Sequence, residues 1–356
     1  MTQEELNSRF CGCMLGGALG DALGQPVEFM QRSDICAKYG RLGITEPVVD
    51  KAKKCAIFSD DTQMSLFTAE GILWADSLGG KTGISNYTTY VFYAYQRWLY
   101  TQEGILASRE YSHVIDENGP CPSKLLKVPQ MFERRAPGTT CLTALTGASD
   151  HNYGRLINKI NDSKGCGGVM RTAPAGLYFF RDSEQAFRMG AEFAAVTHTH
   201  PTGYLAGGAL SAIIAELVSG ANIEEALDIA MYILRDYDGC METYRALDNA
   251  RSLEAGDTPP LDAVNRLGSG WTAEEALAIA VYCALCHREN IENALCLAVN
   301  HSGDSDSTGA ICGNIMGAYL GEQLLPKRWV KRLELSAMIR ASAEELCAAA
   351  CACGVE

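Results

Sequence analysis

The chain has 356 residues, 47% hydrophobic and 21% charged, with a formal net charge of −13. Its length suggests about two domains and its apolar content a large buried core. The acidic balance argues against nonspecific binding to DNA, RNA or an anionic membrane surface, leaving only a local basic pocket for phosphates.

The start, Met1-Thr2-Gln3-Glu4-Glu5-Leu6, is acidic and polar, so no export signal is read and a cytoplasmic location is expected. No uninterrupted apolar run reaches the ~18 residues of a membrane span. The fifteen cysteines then read as reduced thiols that serve as small hydrophobes. Cys283-Ala-Leu-Cys286-His287 has zinc-ligand types but no matching second pair.

Apolar spacing predicts helices over 4–24, 60–78, 84–100, 184–198, 201–219, 223–235, 240–254, 273–287, 291–300, 307–322 and 340–352. Asn222 before Ile223-Glu224-Glu225 marks one helix start, and Thr272 with Glu275 reads as a capping box at another. Alternating strand patterns are scarce, so the predicted fold is all-α. Residues 101–165 differ: clusters such as Glu117-Asn118-Gly119-Pro120 and Arg134-Arg135-Ala136-Pro137-Gly138 predict a loop-rich excursion that shapes a cleft rim. No linker-like break divides the chain, which favours one domain over 1–356.

Glycines recur every four residues at Gly16, Gly20 and Gly24, at Gly309, Gly313, Gly317 and Gly321, and, with a serine, at Gly203, Gly207 and Ser211. Residues four apart share a helix face. Each interior glycine costs ~1 kcal/mol relative to alanine, so close helix–helix approach around a central site is the expected offset.

The chemistry-bearing residues lie at two helix entrances. Asp304 and Asp306 stand one residue apart among Ser305, Ser307 and Thr308, and Ser59-Asp60-Asp61-Thr62 lies far upstream. Clustered oxygens of this kind suit hard divalent cations, and the pair of clusters suggests one shared, binuclear site. Like charges so close need a cation, a proton or water to offset them. Helix capping is the bland alternative; it accounts for one Asp per helix, not for two acids at each entrance.

Five segments, in order, resemble the ADP-ribosylglycohydrolase family. They are Gly16-Gly17-Ala18-Leu19-Gly20-Asp21-Ala22-Leu23-Gly24 with Val27-Glu28-Phe29; Ser59-Asp60-Asp61-Thr62-Gln63-Met64; Gly165-Cys166-Gly167-Gly168-Val169-Met170-Arg171; Thr197-His198-Thr199-His200; and Gly303-Asp304-Ser305-Asp306-Ser307-Thr308-Gly309. The resemblance implies a compact orthogonal all-α bundle. It also implies two Mg²⁺ or Mn²⁺ ions held by Ser59, Asp60, Asp61, Asp304, Asp306 and Ser307, with Glu28 as the acid/base at the scissile ribose. Ser59 stands where the family usually has Thr.

By the same resemblance, Gly165, Cys166, Gly167 and Gly168 form a loop that contacts ADP-ribose, and His198 touches the phosphates or distal ribose. Cys166 replaces the family's usual Asn. Lys164 stands where some members carry an aromatic residue, which leaves the ammonium as a contact for pyrophosphate instead. Arg171 reads equally well as a phosphate contact or an internal salt bridge, His200 as a capping residue, and Asp21 as a support or helix-end residue. Arg134, Arg135, Asp150 and His151 carry no readable role.

The implied activity is metal-dependent hydrolysis of the ribosyl bond in an ADP-ribosylated protein or small-molecule acceptor, releasing ADP-ribose. The alternatives are a noncatalytic ADP-ribose-binding or structural member, and a Mg²⁺-dependent hydrolase of another nucleotide. The motifs do not reveal the acceptor linkage.

Overall fold

The computed structural model describes residues 1–82, 86–149 and 152–352. Asp150, His151, Cys353 and the first positions of the helix expected over 84–100 lie outside the described residues. The described chain is all-α, with extended pairing confined to isolated bridges.

The helices follow in chain order. The first group is α1 (Gln3–Gly24), α2 (Arg32–Tyr39), α3 (Asp60–Thr82), α4 (Tyr87–Glu103), α5 (Thr139–Thr146) and α6 (Ala173–Tyr178). Next come α7 (Ser183–Ala195), α8 (Pro201–Ser219), α9 (Ile223–Leu234), α10 (Met241–Glu254) and α11 (Pro260–Leu267). The last are α12 (Ala273–Cys286), α13 (Ile291–Val299), α14 (Ser305–Leu320), α15 (Lys327–Val330) and α16 (Ser336–Ala352).

α1 opens on a capping box in which Thr2 Oγ1 accepts from Glu5 N and Glu5 Oε2 accepts from Thr2 N. From Phe10 onward every residue of α1 is buried, so the helix has no solvent face and must be enclosed by neighbours. Its glycine stripe meets that of α14. An added Cβ at Gly12, Gly16 or Gly20 would run into the carbonyl of Gly317, Gly313 or Gly309 respectively. The falling partner numbers make the pair antiparallel. The C-terminal end of α1 therefore lies at the N-terminal end of α14, which is what brings Asp21 and Glu28 to Asp304 and Asp306.

α8 is 19 residues long and apolar enough to cross a bilayer by length and composition, but most of it is buried inside the protein. Its small residues admit α7: an added Cβ at Gly207 would sit 2.9 Å from Ala194 Cβ, and Ser211 Oγ donates to Thr172 O at 3.0 Å.

The excursion over 101–165 is partly structured. It holds short 3₁₀ helices at Arg109–Ile115, Leu125–Lys127 and Pro129–Phe132, followed by α5. Buried Arg97 ties it to the bundle, donating to Val114 O and Cys121 O at 2.6 Å each and pairing with Glu70 at 2.9 Å. The capping box expected at Thr272 is not made. Thr272 forms no side-chain cap, and Glu275 Oε2 accepts instead from Ser269 N and Gly270 N at 3.1 Å. The carboxylate is drawn to a glycine loop whose amides have no helical partner.

Candidate active site and metal centre

Three chain segments converge on a cavity of about 390 Å³. α1 delivers Glu28 through a short turn at Gln25–Val27, α3 delivers Asp60 and Asp61 from its first turn, and α14 delivers Asp304, Asp306 and Ser307 from its own. Both helix N-termini present the positive end of a peptide dipole, which favours carboxylates or a bound anion there.

Asp21 sets the α3 entrance. It is wholly buried, and its Oδ1 accepts from Ser59 N at 2.7 Å. Its Oδ2 accepts from Thr62 N at 3.0 Å and Thr62 Oγ1 at 2.5 Å. This carboxylate caps α3 from outside and so aims Asp60 and Asp61. Ser59 Oγ accepts from Asp61 N at 3.2 Å and, unlike the two acids beside it, does not line the cavity. On α14, Asp304 Oδ1 accepts from Ser307 N at 3.3 Å, so one acid does act as a helix cap. The loop before it is pinned by Asp304 N donating to Ser269 O at 2.9 Å. Gly303, at φ 156°, passes so close to Ser269 O that no Cβ fits.

The acids crowd one another. Oxygens of Glu28, Asp304 and Asp306 lie within 4.8 Å of one another. Burial first, and then the Asp306 carboxylate, raises Asp60, Asp61 and Asp304 well above the usual carboxylate range. The same causes push Asp21 up to about 7, and burial with Asp306 and Asp304 pushes Glu28 up to about 10. Each group resists ionising because it is buried and because its neighbours carry the same sign, and a cation between them offsets that penalty. Asp61 Oδ2 is buried with no hydrogen-bond partner among the described residues. An all-oxygen donor set with an unpartnered carboxylate oxygen fits a hard divalent cation.

The adjoining wall is Gly165, Cys166 and Gly167, with His198 and Met170. Its glycines have a steric reason: an added Cβ would lie 3.2 Å from His198 Nε2 at Gly165, 3.0 Å from Cys141 Sγ at Gly167 and 2.9 Å from Gly203 O at Gly168. Gly168 lies behind this wall rather than on it. The His198 ring shares a 2.8 Å hydrogen bond with Thr197 Oγ1. Burial, with Arg171 nearby, lowers its imidazole to about 3, so it is neutral. Cys166 Sγ donates to Asp304 Oδ2 at 2.6 Å.

Arg171 is wholly buried and makes no salt bridge among the described residues. It lies over the Tyr95 ring at 4.2 Å and donates to Thr197 Oγ1 at 2.6 Å. The internal salt bridge read for it is therefore not made, and it stands behind the cavity rather than on its wall. Lys164 turns away to Glu242, with Nζ 2.6 and 2.7 Å from its two oxygens, so it is not at the cavity. His200 caps α8, with Nδ1 accepting from Thr202 N at 3.1 Å. Arg135 is buried against Glu334 at 2.6 Å. Cys283, Cys286 and His287 do not form a metal-holding group among the described residues.

The rim holds one residue that no motif carried, Trp271, beside two features read from the sequence. Phe29 and Trp271 stack at the cavity edge, ring centroids 5.3 Å apart and 19° from parallel, 67% and 40% exposed. Phe29 holds φ at 63°, a strained value for a residue with a Cβ. The excursion supplies Ala136 through Cys141 to the same rim. The signal for Trp271 was slight: a lone tryptophan between the Gly268-Ser269-Gly270 loop and α12.

The model of the ADP-ribosylglycohydrolase family matches residues 2–354. The chain is 25% identical to the ADP-ribosylarginine hydrolase Tri1 of Pseudomonas putida, over 97% of this chain and 80% of that one. It is 24% identical to the ADP-ribosyl-[dinitrogen reductase] glycohydrolase of Rhodospirillum rubrum, over 94% and 93%. Among solved structures, an ADP-ribosylglycohydrolase-related protein complex aligns with a TM-score of 0.59 at 23% identity, covering 98% of this chain and 99% of the other.

Proposed function

This chain belongs to the ADP-ribosylglycohydrolase family, and from that premise we propose that it hydrolyses the ribosyl glycosidic bond of an ADP-ribosylated acceptor, releasing ADP-ribose. Two divalent cations, Mg²⁺ or Mn²⁺, would be held by Asp60, Asp61, Asp304 and Asp306. The observation that carries the reading is the buried acid cluster at the meeting of α1, α3 and α14, with Asp61 Oδ2 unpartnered. When bound, the metals supply Lewis-acid and orienting chemistry.

The protein's own groups do the rest. Breaking the C1 bond builds positive oxocarbenium character on the ribose, and Asp60, Asp61, Asp304 and Asp306 serve by holding the cations that orient it. Glu28, half-buried at the cavity edge, moves the proton between attacking water and leaving group at its carboxyl oxygens. The Gly165–Gly167 wall and neutral His198 receive the ADP-ribose. The buried charge of Arg171 behind them favours the anionic diphosphate. The 101–165 rim meets the acceptor.

The test is incubation of purified protein with ADP-ribosylated arginine and ADP-ribosylated serine peptides, with Mg²⁺ or with EDTA, followed by quantification of free ADP-ribose. EDTA-sensitive release supports the reading and identifies the linkage. Release of inorganic phosphate from a nucleotide without release of ADP-ribose would instead favour a nucleotide hydrolase.

A further inference from the structure

The cavity wall beside Asp304 carries two sulfurs. Cys166 Sγ lies 2.6 Å from Asp304 Oδ2. Met170 Sδ lies 3.9 Å from Ser307 Oγ, on the same side of α14. Both residues line the cavity with Asp60, Asp61, Asp304 and Asp306. Asp61, which also lines the cavity, keeps a buried Oδ2 without a hydrogen-bond partner among the described residues. Oxygen ligands alone select hard cations, whereas a sulfur ligand adds affinity for softer ones.

We propose that this centre also binds thiophilic divalent cations, of the class of Zn²⁺, Co²⁺ and Cd²⁺, with the Cys166 sulfur as a ligand beside the Asp304 carboxylate. The inference rests on the reading of the acid cluster as a cation site. Coordination replaces the thiol proton, which passes to the buffer, with no change of oxidation state. The Cys166 hydrogen bond already holds the sulfur beside the Asp304 carboxylate, and a small opening of the two side chains would admit an ion between them. Met170 backs the same corner with a second polarizable sulfur. The consequence is competition: a soft ion would occupy the centre in place of the hard one.

The experiment is Co²⁺ titration of the full chain, read by absorbance and calorimetry, with Cys166→Ser and Cys166→Asn beside the wild type and circular dichroism melts to verify folding. The expected result is a sulfur-to-cobalt charge-transfer band in the wild type, bleached by excess Mg²⁺ and missing from both variants. Zn²⁺ affinity should fall about tenfold or more in the variants, while Mg²⁺ affinity stays within about twofold. Co²⁺ binding without the band, or a band that persists in both variants, overturns the sulfur ligand and leaves the carboxylate centre standing. Equal losses of Zn²⁺ and Mg²⁺ affinity also overturn it, since they would mark a purely structural thiol. Absence of any Co²⁺ or Mg²⁺ binding removes both the sulfur ligand and the cation site beneath it. Should one variant fail to fold, the other carries the comparison.

Discussion

The acid floor of the cavity and its rim are built in opposite ways. The floor hangs on α1 and α14, whose glycine faces interlock so closely that no side chain fits between them, and buried hydrogen bonds to Asp21 and Asp304 fix the entrances of α3 and α14. The rim consists of exposed rings, Phe29 on Trp271, and of the excursion segment Ala136–Cys141. Substitutions in the floor should therefore cost fold or chemistry outright, while those in the rim should shift which ligand is preferred.

The sharpest way to break that contrast is Gly309→Val. The new side chain would enter the Gly20 backbone, and a loss of ~4 kcal/mol or more is expected, seen as insoluble protein or a collapsed melting transition. A well-folded variant would show that the two helices can separate. Next come Asp304→Asn and Asp61→Asn, expected to abolish ADP-ribose release and weaken Mg²⁺ binding in calorimetry; full turnover in either would remove the metal assignment.

Asp21→Asn should act one step back. It leaves the ligands in place but weakens the hold on Ser59 and Thr62, and a loss of about 10–100-fold in metal affinity or turnover is expected. At the rim, Trp271→Ala should raise KM about 2–10-fold, in line with the ~0.5–1.5 kcal/mol of an aromatic contact, with kcat little changed. A kcat collapse there would place Trp271 in the floor.

The smallest expected effect concerns acid stability. His198 takes its proton near pH 3 in the folded chain but near 6.5 when unfolded. Between those values the unfolded state binds the extra proton, so stability falls as pH drops below about 6.5. His198→Gln should flatten that part of the denaturant-midpoint profile; an unchanged slope would assign the acid sensitivity elsewhere.

Long periodic helices were legible in the sequence because apolar spacing and caps repeat over several turns. Asn222 forms the box read for it, accepting from Glu225 N at 2.9 Å while Glu225 Oε2 accepts from its amide at 3.0 Å. α2, α5, α6, α11 and α15 were not read, because eight residues or fewer give too few repeats for a period to emerge. The glycine stripes announced close approach, yet not which stripe meets which, since pairing is a property of the packed core.

At the site, the acid pairs were visible as local clusters. The capping role of Asp21, the turn of Lys164 toward Glu242 and the placement of Trp271 depend on contacts far apart in sequence. The Gly165–Gly168 loop was read as an anion cradle, and its glycines also have a purely steric reason, the His198 ring and Gly203 carbonyl behind them.

The antiparallel seam of α1 and α14 also has a bearing on how the chain acquires its shape. Gly20, made early in synthesis, has no partner until Gly309 follows it almost the whole length of the chain later. Such distant pairing is slow, since a long loop must close before any contact rewards it. Until then α1 is an apolar helix with every face bare beyond Phe10, a segment suited to chaperone capture and exposed to aggregation. The acid floor of the cavity therefore cannot be complete before α14 has been made.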